Sequence, residues 1–243
     1  MFFRTHILTA VVAGSMALLP LLAGGASAEP LLLDEFDGDK LSGNWEVLNE
    51  DDDGYIVEDG QLLIVGSGDG QIHKGNVPNI IRLKSELPKG NWVATMKFSV
   101  PYQTGREAPF LAIYEDKDNQ IVATTNAKSY YGGIRGAQVF LTGWKRTKGK
   151  QTSFSKVIWG GSGGKPFTAE QAPNPFLLRI TKRGRSYIAA SKLEGMNQTK
   201  WTEHEKLTLL RPKGRLAIGI YQTSRVKGET PVSIDWFKIE ALN

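Results

Sequence analysis

The nonapeptide WVATMKFSV, residues 92–100, decides the fold class, because apolar and polar side chains alternate along most of its length. Trp92, Met96 and Phe98 fall on one face of an extended chain, and Thr95 and Lys97 fall on the other. A period of two residues is typical of a β-strand with one buried face, whereas an amphipathic helix repeats its apolar positions every three or four residues. The stretch therefore predicts a strand whose apolar face lies in the core.

Similar short runs follow one another along the chain, and none of them has a helical repeat. In order they are LLLDEF, WEVL, YIVED, QLLIVG, NIIRLK, PFLAIYED, QIVATTN, AQVFLTGW, SFSKVIW, PFLLRITK, SYIAASKL, RLAIGIY and VSIDWFKIE. Turn-forming pairs such as Arg183-Gly184 and Lys213-Gly214 separate several of them. About a dozen short strands without a fixed repeat predict an all-β fold, a two-sheet antiparallel β-sandwich of the jelly-roll kind.

The first 28 residues have the composition of a cleavable signal peptide. A basic start at Arg4 precedes an apolar run from Ile7 to Leu22, and the small residues GGASA lie just before Glu29. Glycine, serine and proline interrupt the run, which falls short of the ~20 apolar residues of a spanning helix. We therefore expect cleavage, a single domain over residues 29–243, no membrane span after cleavage, and a secreted or periplasmic location.

The composition excludes several classes of site. The chain has 243 residues, no cysteine, a formal net charge of +5 and a pI of about 9.3. The lack of cysteine excludes a disulfide framework, a lipid-modified cysteine anchor and a cysteine metal site.

A basic exported protein favours acidic partners such as uronate polymers or envelope phosphates, although a modest excess of lysine also serves solubility alone. Nucleic acid is not expected as a partner, because export and the lack of a recognised binding module argue against it.

Several segments in a fixed order give the chain a family resemblance. Among them are DEFDGDKLSGNWEV, YIVEDGQLLI, GNWVATMKFSVPY, GRLAIGIYQ and VSIDWFKIE. Together they resemble the concanavalin A-like (laminarin G-like) jelly rolls associated with glycoside hydrolases, and most closely the non-catalytic sandwich domain at the C-terminus of some β-xylosidases. The resemblance spans most of residues 31–242. It implies that the first strand, in LLLDEFDG, pairs with the last strand, in VSIDWFKIE.

The same resemblance implies a structural calcium site. Related jelly rolls often hold calcium by an acid or carbonyl of the first strand, a glycine carbonyl in a DG-x-L turn and an aspartate of the last strand. The matching positions here are Glu35, Gly60 and Asp235. Calcium accepts such a mixture of carboxylate and backbone oxygens. The alternative is that Glu35 and Asp235 are solvated acids at strand ends.

The sequence favours binding over catalysis. Hydrolases of this fold that cleave β-glucans use a glutamate pair within E-x-D-x-x-E, since retaining hydrolysis needs two closely spaced carboxyl groups. This chain lacks the motif, and Glu203 and Glu205 have the wrong spacing.

One enzymatic alternative remains, because QIH at residues 71–73 and IGIYQ at residues 218–222 resemble motifs of jelly-roll alginate lyases. In that alternative His73 and Tyr221 would handle the proton, but the R-x-E-x-R strand that those enzymes carry before QIH is missing.

A cluster of aromatic and planar polar residues between residues 130 and 159 supplies the chemistry of a sugar-binding surface. Its candidate ligand-binding members are Tyr130, Tyr131, Arg135, Gln138, Trp144, Arg146 and Trp159. Alternation places Trp144 and Arg146 on one face of their strand, opposite Val139 and Leu141. We therefore predict an exported, non-catalytic protein that binds a polysaccharide or oligosaccharide on its concave sheet.

The alternatives are a uronate lyase or glycoside hydrolase on the same fold, and a structural domain without a glycan ligand. Either tryptophan of the cluster could instead belong to the core. We expect Trp45, Trp92 and Trp236 in the core.

Overall fold

The structure is a computed structural model that describes residues 29–66, 70–102, 107–127, 139–159, 174–196, 198–204, 206–209, 212–222 and 230–242. Over these ranges the chain is almost entirely β-structure, with short 3₁₀ turns at Asp52–Gly54, Ile72–Lys74 and Glu194–Met196. None of the helices in this part of the chain has the length and apolar character that crossing a membrane requires.

Two antiparallel sheets form the fold. The nine-stranded sheet contains β1 (Leu32–Asp34), β3 (Tyr55–Glu58), β4 (Gln61–Gly66), β6 (Asn91–Ser99), β11 (Phe176–Arg183), β12 (Ser186–Leu193), β13 (Thr202–Glu203), β14 (Leu207–Thr208) and β16 (Thr230–Leu242). The seven-stranded sheet contains β2 (Trp45–Leu48), β5 (Ile80–Leu83), β7 (Glu107–Asp116), β8 (Asn119–Ala127), β9 (Val139–Thr147), β10 (Lys150–Trp159) and β15 (Arg215–Gln222).

The strand order is non-sequential in both sheets. It is β13-β12-β11-β6-β16-β4-β3 in the first sheet, where β1 also pairs with β16 and β14 with β12, and β10-β9-β8-β7-β15-β5-β2 in the second. This arrangement confirms the predicted two-sheet antiparallel sandwich. The predicted runs WEVL and QLLIVG coincide with β2 and β4, whereas β13 and β14, each two residues long, were not predicted.

The main core lies between the sheets and follows from the alternation that the sequence contains. Trp92, Met96 and Phe98 on β6 are fully buried in it, and Lys97 on the same strand is only partly buried. Trp45 is also buried there, which confirms two of the three predicted core tryptophans. Burial of these apolar side chains is the main source of stability in such a sandwich.

The first and last strands pair as predicted. Leu32 on β1 lies opposite Ile239 on β16, in antiparallel register. A register shift lies between Ile234 and Trp236 of β16. Because such a bulge adds one residue, it reverses the faces of all the residues that follow. Trp236 is therefore half-buried on the outer face of its sheet, and its predicted place in the core is wrong.

A second apolar cluster lies on the outer face of the seven-stranded sheet, defined here as the face turned away from the nine-stranded sheet. Its buried members include Phe110, Trp144 and Tyr221 on the strands. Ile72 and Val77, from the segment between β4 and β5, belong to the same cluster and are fully buried. Residues 70–79 therefore cover part of this outer face.

Candidate functional site

The structure divides the predicted sugar-binding cluster. Tyr130, Tyr131, Arg135 and Gln138 lie outside the described residues. The other three members, Trp144, Arg146 and Trp159, lie on β9 and β10.

The two tryptophans of the cluster lie on opposite faces of the seven-stranded sheet. Trp144 belongs to the second apolar cluster, is 6% exposed and packs edge-on against Tyr221, with ring centroids 6.0 Å apart. Trp159 is partly buried against the main core, because a register shift after Val157 places it opposite Val139. In this conformation, packing against other side chains covers Trp144, so its ring is not an open stacking platform.

Arg146 is held by neighbouring side chains. Its Nη1 donates to Oε1 of Gln151 at 3.4 Å, and its Nε lies 3.6 Å from Oδ1 of Asp118. Its position on β9 places it on the outer face, in phase with Trp144, as the sequence predicts.

Of the two residues of the lyase alternative, Tyr221 is buried and His73 is only partly buried. Burial lowers the pKa of His73, and the nearby charges of Arg146 and Lys74 lower it further. Burial raises the pKa of Tyr221 above its ordinary value, while a hydrogen bond with Thr124 acts in the opposite direction. Proton transfer works best when the pKa of the group lies near the working pH. The raised pKa of Tyr221 weighs against proton transfer by this side chain.

A charged cluster that the sequence analysis did not predict lies on the same outer face. Oε1 of Glu46 on β2 accepts from Nε of Arg82 at 2.8 Å and from Nη1 of Arg215 at 3.0 Å. Arg82 lies opposite both Glu46 and Ala217 in the sheet, so residues far apart in sequence meet through strand pairing. Arg82 and Arg215 also line a groove of about 540 Å³ at the end of the sheet.

Two carboxylates near this end of the sheet, Glu46 on the outer face and Asp116 at the end of β7, are engaged in other interactions. Burial alone would raise the pKa of Glu46, but the hydrogen bond and charge of Arg82, followed by those of Arg215, lower it overall. Burial would likewise raise the pKa of Asp116 in the β7–β8 turn, but the backbone N–H groups of Asp118 and Asn119 donate to this carboxylate and lower its pKa overall. A glycosidase needs one carboxyl group with a raised pKa as its acid. Neither Glu46 nor Asp116 meets that requirement.

Asp235, one of the three predicted calcium positions, is engaged by neighbouring side chains. Asp235 accepts from the ammonium of Lys97 at 3.3 Å and from Nε2 of Gln61 at 3.2 Å. Glu35 is exposed, and the side chain that approaches Gly60 is that of Asp37. A calcium ion at Asp235 would have to displace the ammonium. Over the described residues there is no group of three or more His, Asp or Glu side chains placed to hold a metal.

Comparison with models of protein families finds no match, and comparison with curated protein sequences finds none either. Solved structures do match. The GH43 protein BlXynB from Bacillus licheniformis has a TM-score of 0.64 and 15% identity, over 86% of this chain and 39% of that chain. A GH43 protein of a Bacteroides ovatus xyloglucan locus has a TM-score of 0.63 and 18% identity, over 93% of this chain and 42% of its own.

The endo-β-1,3-glucanase from Pyrococcus furiosus has a TM-score of 0.56 and 9% identity, over 86% of this chain and 93% of the glucanase. This chain spans about two fifths of the length of the two GH43 proteins. Together with the sheet order, these likenesses confirm the concanavalin A-like jelly-roll fold that the sequence motifs predicted.

Proposed function

We propose that this is an exported, non-catalytic protein that binds a polysaccharide on the outer face of its seven-stranded sheet. The observation that carries the proposal is that Glu46 fixes the guanidinium groups of Arg82 and Arg215 beside an open groove. Such groups donate directional hydrogen bonds to hydroxyl and carboxylate oxygens. The groove volume of about 540 Å³ lies in the range of ligand sites, ~300–1,000 Å³.

The state of the carboxylates supports binding over cleavage. Glu46 and Asp116 both have lowered pKa values, so both remain ionised at neutral pH. A carboxylate that is always ionised cannot protonate a leaving group. Neither Glu46 nor Asp116 can therefore serve as the acid of a hydrolase, whereas the guanidinium groups of Arg82 and Arg215 in the groove are suited to recognition of a chain.

The structural neighbours support a glycan as the ligand. They include GH43 proteins and an endo-β-1,3-glucanase, which makes xylan and β-1,3-glucan reasonable polymers to test. The basic composition adds a uronate polymer to that set. Tyr130, Tyr131, Arg135 and Gln138 remain proposed contacts of the same ligand.

Affinity electrophoresis in gels that contain each polymer tests the proposal. Arg215→Gln should weaken retention about tenfold or more, because charge-assisted hydrogen bonds contribute roughly 1.5–3 kcal/mol. The Glu46–Arg82 ion pair at 2.8 Å stays in place in this variant, so the fold should be kept. Arg183→Gln, at an exposed turn of the other sheet, is the matched control and should bind as the parent does. Equal loss in both variants would contradict a role for the groove.

The rival activities give different results in the same samples. A uronate lyase would release an unsaturated product that absorbs in the ultraviolet, and His73→Ala would abolish it. A hydrolase would release new reducing ends from xylan or β-1,3-glucan. Either product would overturn the non-catalytic proposal. A protein retained by none of the polymers would be a jelly-roll domain without a glycan ligand of these classes.

A further inference from the structure

The outer face of the nine-stranded sheet, called the back face below, carries exposed apolar side chains. Over the described residues, five large hydrophobic side chains are 41–55% exposed, and three of the five lie on this face: Leu31, Leu33 and Ile56. Their place follows from alternation, because Leu32 and Val57, their neighbours in sequence, pack into the main core. The sheet therefore turns these three side chains away from the core and towards water.

Two further apolar side chains lie beside them. Leu63 on β4 is directly opposite Ile56 and is partly exposed. Trp236 on β16 reaches the same face through the bulge and is half-buried. Since β1 and β4 both pair with β16, and β3 pairs with β4, the five side chains lie on four neighbouring strands. This group is called the back patch below. Exposed hydrophobic residues that are scattered singly are ordinary, whereas a group of them marks an interaction surface.

The charged groups of the back face neutralise one another. They form ion pairs within the face: Lys97 with Asp235 and Glu194 at 3.3 Å, Arg179 with Glu203 at 2.8 Å, and Lys238 with Glu240 at 3.1 Å. A partner of high net charge therefore finds no complementary charge on this face. An identical face has the same balance, and two such faces can approach each other without the repulsion of two surfaces of like charge.

The area of the back face is that of a stable protein interface. The strands of the nine-stranded sheet contain 55 residues. At ~4.8 Å between strands and ~3.4 Å along a strand for each residue, the face covers roughly 900 Å². A stable specific complex buries ~800 Å² on each partner. One copy of this face is therefore large enough to hold another.

We propose that the back face packs against the back face of a second copy of this chain, in a dimer with two-fold symmetry. In such a dimer the same surface is used twice, and an axis near β16 places each back patch against that of the other copy. The aliphatic members of the patch favour a protein over a glycan as the occupant, because sugar recognition uses aromatic faces and planar polar groups.

The arrangement has a consequence for ligand binding. Back-to-back packing leaves the outer face of each seven-stranded sheet open, so the groove beside Arg82 and Arg215 is present twice, on opposite sides of the dimer. A dimer of this kind would bind two polymer chains, or one chain twice with a gain in avidity. This consequence rests on the proposed function, whereas dimer formation does not.

Sedimentation velocity of the exported protein tests the inference. At about 100 μM the protein should sediment with twice the mass of one chain, since interfaces of this size have dissociation constants that are micromolar or lower. Leu33→Asp and Ile56→Asp should each raise the dissociation constant about tenfold or more, because each places an unpaired carboxylate in the apolar contact. Both side chains are about half exposed in the single copy, so melting curves of the variants should stay close to that of the parent.

Val157→Asp is the matched control. Val157 is 41% exposed, but it lies on the other sheet, where it is opposite Phe140. This variant should remain a dimer. A parent protein that stays monomeric at the same concentration would overturn the inference. A dimer that survives in both back-patch variants, or one that Val157→Asp also dissociates, would overturn it as well.

The polymer gels separate this inference from the proposed function. A monomeric protein that is still retained by a polymer, and that loses retention in Arg215→Gln, would leave the proposed function standing without the dimer. A monomeric protein that loses retention in Leu33→Asp would show that the back patch binds the glycan itself, which would also overturn the dimer.

Discussion

Replacement of Trp144 by alanine tests whether this ring stabilises the fold or forms a surface on which a sugar stacks. The side chain is 6% exposed and contacts the ring of Tyr221 in the second apolar cluster. Truncation of a buried tryptophan to alanine costs about 3–5 kcal/mol, through lost transfer free energy and the cavity left behind. For a domain of this size that corresponds to a fall of roughly 6–20 °C in melting temperature.

Thermal unfolding followed by circular dichroism measures the effect. Trp201→Ala is the control, because Trp201 is only half-buried and its ring lies 4.0 Å from the guanidinium of Arg179 on the other sheet. It should lower the melting temperature far less. Hydrogen exchange adds a second measurement, since residues 70–79 lose part of the surface they cover and their amides should exchange faster in Trp144→Ala.

One result would refute this reasoning. If Trp144→Ala unfolds within about 1 kcal/mol of the parent protein and yet loses retention on a glycan gel, then Trp144 is a stacking platform and the packing argument is wrong. That magnitude is typical of an ordinary substitution and far below that of a buried tryptophan.

The remaining predictions concern pH, calcium and the start of the exported chain. Glu46→Gln should lower the free energy of unfolding at neutral pH. Burial raises the folded-state pKa of Glu46, but the hydrogen bonds and charges of Arg82 and Arg215 together lower it overall. The stability that this ion-paired carboxylate contributes is therefore present above the unfolded pKa and is lost as the pH falls through the folded pKa. Urea unfolding curves of the two proteins should converge in acid, and a constant gap would contradict the ion-pair explanation. If calcium binds at Asp235, a hundredfold excess of calcium over its dissociation constant stabilises the fold by ~2.7 kcal/mol. Lys97→Met should enlarge the rise in melting temperature on calcium addition, because it removes the competing ammonium. If chelator leaves the melting temperature of both proteins unchanged, the calcium prediction is wrong. The intact mass of the exported protein should correspond to a chain that begins at or near Glu29, and a mass that includes the first methionine would contradict cleavage.

The order and type of the strands could be predicted from the sequence because they depend on local alternation. The strand from Asn91 to Ser99 buries Trp92, Met96 and Phe98, which are the residues that its period of two assigned to the core. Pairing of the first strand with the last followed from the family resemblance, and Leu32 lies opposite Ile239. The strands β13 and β14 were missed because two residues are too few to show a period.

The environments of Trp144, Trp159 and Trp236 show where the alternation of residues along a strand fails to predict exposure or sheet face. Alternation correctly placed Trp144 on the face opposite to Val139. Residues 70–79 cover the outer face that carries Trp144, and the sequence around Trp144 gives no indication of this. Bulges move Trp159 to the core side and Trp236 to the outer face, because one extra residue reverses the alternation that follows.

The sequence by itself determined that this chain forms a two-sheet jelly roll, since a two-residue period and turn chemistry are properties of neighbouring residues. Only the tertiary structure decided which polar groups meet. Glu46, Arg82 and Arg215 come together because β2, β5 and β15 are adjacent in the sheet, although up to 169 positions separate them in the chain. Contacts of that kind depend on strand order and register, which the side-chain pattern within any one strand does not contain.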